Sequence, residues 1–138
     1  MGYRSEWCLA CKGPAEKIEA FVDELARRAS QPSDGDYDAA EVAKLIFDSR
    51  LEGTAELAVW HDPDTKCYGE WDETIDQLVC FARQHGLKAA YCRLGEDVED
   101  HDEDNDDGFY IPFVRRLDIC RLGAEHGCTG LGEEEEAV

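Results

Sequence analysis

This sequence predicts a single α+β domain: a ferredoxin-like β-α-β-β-α-β sandwich with an extra C-terminal strand. Three observations lead there. The chain has 138 residues, the length of one domain. Two segments repeat apolar residues at helical spacing, and short apolar runs of strand length lie before, between and after them. Two helices are therefore expected on one face of a mainly antiparallel sheet. Residues 1–138 form one unit, with an acidic hairpin loop at 96–107 and a flexible acidic tail at 129–138.

The first strand is expected over Tyr3–Cys11, with Trp7, Leu9 and Cys11 sharing one face. Gly13-Pro14 opens a helix, and Ile18, Phe21, Val22 and Leu25 give it a core-facing stripe. Ser30–Asp38 is a loop by composition. Asp38 and Glu41 resemble a capping box for a short helix through about Leu45. Ile46–Leu51 and Ala55–Trp60 read as two strands joined at Glu52-Gly53, and His61–Gly69 as a loop around Asp62-Pro63-Asp64. Asp72 is the expected N-cap of the second long helix. Ile75, Leu78, Val79 and Ala82 form its stripe, and Gly86 follows its end. Lys88–Leu94 and Phe109–Ile119 are the last strands, and Pro112 puts the final one at an edge or a bulge.

Lys and Arg number 14 against 33 Asp and Glu, a formal charge of −19. That sign argues against direct nucleic-acid binding, which depends on neutralising phosphates, and against attachment to an anionic membrane. No apolar run approaches the ~18 residues of a membrane span. Met1–Glu6 lacks the features of a signal peptide, so a cytoplasmic protein is expected. The acidity is local. Residues 96–107 hold nine acids and no Lys or Arg, and residues 133–136 hold four glutamates; without those thirteen carboxylates the balance is −6.

Seven cysteines, an odd number, make a poor disulfide framework. Cys8 and Cys11 form a CxxC, but on a strand they point to opposite faces and cannot converge on one metal. Cys120, His126 and Cys128 do not complete a standard zinc spacing. Neither a phosphate-cradling glycine loop nor a nucleophile elbow is present, so no enzyme, cofactor or metal is expected. A calcium loop starting at Asp102 fails where Asp107 replaces the glycine and Phe113 the terminal glutamate.

The acidic run is the strongest candidate for function. In extended chain, alternate residues on one face lie about 6.6 Å apart, a spacing comparable to successive nucleic-acid phosphates. Glu96, Asp97, Glu99, Asp100, Asp102, Glu103, Asp104, Asp106 and Asp107 are thus candidate contacts for a Lys/Arg-lined groove. Trp60, Tyr68 and Trp71 flank the 61–71 loop and are candidate aromatic anchors for a protein partner. The competing reading of the acids is a solvated loop that keeps the protein soluble.

Gly2-Tyr3-Arg4-Ser5-Glu6 resembles the start of a group of small acidic proteins found mainly in bacteriophage genomes. Ala58-Val59-Trp60, Lys66-Cys67-Tyr68-Gly69 and the segment from Trp71 resemble their strand, aromatic loop and second helix. Arg93-Leu94-Gly95-Glu96 resembles their R-[IL]-G-E element, which also leads into acids. Seven cysteines and a long acidic run depart from that pattern. The group carries no established activity. The resemblance implies a phage or prophage setting, where small acidic proteins block host defence enzymes. The expectation is a non-enzymatic inhibitor, of anti-CRISPR or anti-restriction type, whose DNA-mimicking acids bind a basic groove of a host nucleic-acid-binding complex. Alternatives are a small metal-binding protein or enzyme using Cys8, Cys11, His61 or the acidic loop, and a regulatory homodimer joined at a sheet edge.

Overall fold

A computed structural model describes residues 4–33, 35, 37–96, 100–106 and 108–109. The elements are β1 (Ser5–Lys12), α1 (Ala15–Ala29), α2 (Ala39–Asp48), β2 (Arg50–Thr54), β3 (Leu57–Thr65), α3 (Trp71–Gln84), β4 (Lys88–Leu94) and β5 (His101–Asn105). Among the described residues the strands make one five-stranded sheet in the order β2-β3-β1-β4-β5, with each of these pairings antiparallel. The architecture is α+β, as the sequence predicts.

Strand β1 is central because it is apolar on both faces. Trp7, Cys8, Leu9, Ala10 and Cys11 are all buried, the unbroken pattern of a strand covered on each side. Trp7, Leu9 and Cys11 join the larger core layer, into which α1 places Phe21 and Leu25, α2 Val42 and Ile46, and α3 Leu78 and Val79. Cys8 and Ala10 enter a second buried layer with Leu57, Val59, Cys92 and Phe109. Cys8 and Cys11 therefore sit in opposite layers.

Two of the buried tryptophans satisfy their indole N–H inside the fold. Trp7 Nε1 donates to Thr65 Oγ1 at 3.0 Å, and Trp71 Nε1 donates to the Tyr91 hydroxyl at 2.9 Å. The two indoles meet edge to face with centroids 5.1 Å apart.

Three helices, rather than two, contribute to the helix-side layer. Helix α2 begins where the capping box places it: Asp38 Oδ1 accepts from Glu41 N at 2.9 Å, and Glu41 Oε1 accepts from Tyr37 N at 2.6 Å. It then runs to Asp48, so Ile46–Asp48 is helix rather than the predicted strand. Ile46 continues the Val42 stripe at i+4, and that packing outweighs its β-branched preference. Strand β3 likewise extends through His61–Thr65, predicted to be loop. Pro63 is accommodated because the β1–β3 register shifts between Ser5 and Trp7. The α3 N-cap is Glu70 rather than Asp72. The strand predicted over Phe109–Ile119 and the tail at 129–138 lie outside the described residues, except Phe109, which bridges Asp106. Among the described residues no helix is long and apolar enough to cross a membrane.

Two measurements test this packing. Gly69 has φ +60°, and an added Cβ would meet Tyr37 backbone O at 2.5 Å. Gly69→Ala is expected to cost about 1–3 kcal/mol in urea unfolding. Hydrogen bonds from Arg27 and Arg28, acting against some burial, hold Glu24 down to about 2. A depressed carboxyl contributes stability above its unfolded value, about 4, and loses it as pH falls toward about 2. Glu24→Gln should therefore flatten the loss of stability across that window and leave the rest of the acid profile unchanged.

Candidate functional site

The acidic run is partly a strand. His101–Asn105 forms β5 on β4, with Asp102 opposite Arg93, Glu103 opposite Cys92 and Asp104 opposite Tyr91. His101–Asn105, expected as part of a hairpin loop, is thus strand. Carboxylates at this spacing repel one another, and two arginines offset that repulsion.

Arg93 reaches from β4 with its side chain only 14% exposed. Its Nη2 donates to Asp100 Oδ1 at 2.7 Å and to Asp102 Oδ2 at 2.9 Å, its Nε donates to Asp102 Oδ2 at 3.0 Å, and its Nη1 donates to Ser5 Oγ at 2.9 Å. Burial opposes the guanidinium charge most, yet the hydrogen bonds and charges of Asp100 and Asp102 outweigh it and hold Arg93 above its ordinary value. Arg83, on α3, makes the second link. It donates to Asp104 Oδ1 at 2.8 Å, with Nε 2.9 Å from Asp106 Oδ1, and these contacts raise it, Asp104 first. Asp106 also accepts from Ala89 N at 2.7 Å, closing the end of the strand.

Asp102 and Asp104, opposite Arg93 and Tyr91, thus face the helix side, whereas Glu103, opposite Cys92, stands on the other face of the strand. Asp102, Glu103 and Asp104 line a cleft of about 370 Å³ with Asp72 and Asp76 of α3, and Ile75 and Tyr91 complete its lining. Helix α3 therefore extends the acidic surface beyond the run itself, a contribution that composition alone does not reveal. Glu96 accepts from Arg4 N at 2.6 Å at the near end. Asp97, Glu99 and Asp107 lie outside the described residues.

The aromatic candidates divide differently. Trp60 and Trp71 are 0% and 1% exposed, so on the folded surface neither reaches a partner. Phe21 packs on Trp60, and Arg50 lies over the Trp60 ring at 5.3 Å. Apolar spacing around the 61–71 loop served the core, not an interface. Tyr68 alone keeps partial exposure, packed against Tyr37 with centroids 5.3 Å apart.

Sequence reasoning missed one buried pair. His61 Nε2 lies 2.9 Å from Glu6 Oε2, with both side chains almost fully buried, and Glu6 Oε1 has no hydrogen-bond partner among the described residues. Only strand pairing brings positions 55 residues apart together. Among the described residues no group of three His, Cys, Asp or Glu side chains is arranged to hold a metal ion. His85 ends α3, with Nδ1 2.9 Å from Phe81 O and its ring stacked on Phe81. Cys120, His126 and Cys128 lie outside the described residues.

Arg93→Gln removes the charge that holds Asp100 and Asp102. It should cost about 1–3 kcal/mol of stability and speed amide exchange in β5 far more than in β1. Equal acceleration in both strands would show that Arg93 does not hold the acidic strand.

The chain matches no family model, no curated protein and no solved structure in searches of all three.

Proposed function

We propose that this chain is a phage- or prophage-encoded, non-enzymatic inhibitor of a host nucleic-acid-targeting defence complex, of anti-CRISPR or anti-restriction type. It occupies a basic groove of that complex with an acidic, DNA-mimicking surface. The observation that carries the reading is the acidic face shared by β5 and α3. Each arginine serves two carboxylates, so each trio keeps a net negative charge. Asp72 and Asp76 of α3 add to it around the cleft, and Glu103 adds charge on the other face of the same strand. An ordered carboxylate array presents a cationic groove with charges whose ordering entropy is already spent. Long-range attraction then accelerates encounter. We further infer a ferredoxin-like sandwich, supported by the order β2-β3-β1-β4 with β5 appended beside β4.

The structure changes which acids make a clean test. Neutralising Asp100, Asp102, Asp104 or Asp106 would also release Arg93 or Arg83, so lost binding would mix with lost order. Asp72→Asn, Asp76→Asn and Glu103→Gln together leave both arginine links in place. The tagged protein is used to capture partners from a bacterial lysate at low and at high salt, with identification of what is bound. A nucleic-acid-handling complex should be retained at low salt, released at high salt and displaced by added duplex DNA. The triple variant should bind it roughly tenfold more weakly. Retention that ignores both salt and the triple variant sinks the mimicry reading.

A further inference from the structure

A second buried layer covers the sheet face opposite the helices. There β1 and β4 place two cysteines side by side. Cys8 is the direct partner of Cys92 in the antiparallel register, and both are buried in the same layer. Directly opposed residues of an antiparallel pair have Cα atoms about 4.5 or 5.5 Å apart. A disulfide spans Cα separations of about 4.4–6.8 Å. Both side chains leave the same face, so no strand need move for the sulfurs to meet. Both are thiols in this structure.

We propose that Cys8 and Cys92 are a redox-sensitive pair which peroxide converts to a cross-strand disulfide bracing β1 to β4. Hydrogen peroxide oxidises one thiol to a sulfenic acid and leaves as one water. The second sulfur attacks that sulfenic sulfur, forming the S–S bond. The displaced hydroxide takes the proton lost by the attacking thiol and leaves as a second water. Burial pushes the Cys92 thiol up to about 12, and the charges of Glu103 and Glu6 act in the same direction. Oxidation is therefore slow in the closed sheet and follows its local opening, whereas exposed Cys80 reacts first. The link closes a loop through most of the described chain, which is where a cross-link restricts the unfolded state most. It also adjoins Arg93, the residue that holds Asp100 and Asp102.

The test uses the native, full-length protein with excess hydrogen peroxide, for many exchange lifetimes of the β4 amides. Remaining thiols are then alkylated. The expected product has lost two hydrogens through a Cys8–Cys92 link seen in the unreduced peptide map. Its Tm rises by about 10 °C and returns on reduction. Cys92→Ala and Cys8→Ala should each abolish both the link and the rise, and either one suffices if the other fails to fold. The proposal is overturned if wild-type Cys8 and Cys92 stay alkylatable or become sulfinic acids. It is overturned equally if the links join other pairs, or if Tm rises as much in the alanine variants.

Discussion

The contact between Arg93 and the carboxylates of Asp100 and Asp102 connects the acidic segment to the rest of the molecule. Acids on alternate positions of a strand repel, and a strand at the side of a sheet has few contacts to offset that cost. Arg93 is suited to do so because it is anchored on both sides. It stands on β4 and donates to Ser5 of the central strand while it bridges two acids. A guanidinium can serve several oxygens in fixed directions, which a lysine ammonium on a flexible stem does less well. Arg83 repeats the device from α3, although its side chain and that of Asp104 are more exposed and screened. The order of the acidic strand is thus borrowed from the core beneath it.

That arrangement sets a limit as well as an opportunity. Carboxylates committed to Arg93 and Arg83 are held in place, but a partner's cations must share them with the protein's own. Asp72 and Asp76 at the α3 cleft, and Glu103 on β5, add charge that neither arginine bridge uses. An acidic surface of this kind therefore has two parts: an internally bridged row that supplies shape, and flanking carboxylates that supply most of the attraction. Salt weakens the second part more than the first, because screening acts chiefly on exposed charges.

The core explains why Trp60 and Trp71 are closed off from the surface. Trp7, Trp60 and Trp71 are the largest buried side chains, and a domain this small needs their area. Trp7 and Trp71 carry an N–H that finds an oxygen inside the fold, Thr65 for one and Tyr91 for the other. The buried Glu6–His61 contact is less complete, since one carboxylate oxygen is left without a partner among the described residues. It sits where β1 and β3 slip register, a place where regular pairing already gives way.

Periodicity alone was enough to read the helices, the central strand and the separation of Cys8 from Cys11. Those features depend on which face of a local element is apolar, and a helix or strand repeats that information every few residues. The capping box at Asp38 was legible for the same reason. Where α2 ended was not, because Ile46 suits either a strand or a helix until Val42 and the sheet are in place. Nor was the fate of Trp60 and Trp71, since an aromatic beside a loop reads the same whether it faces core or solvent. The acidic run was plain as charge but not as structure. Arg83 and Arg93 lie 21 and 9 residues from Asp104 and Asp102, and only the fold of α3 and β4 brings them within hydrogen-bond reach. Local pattern determined the elements; long-range electrostatics, which no short window contains, decided what the acids became.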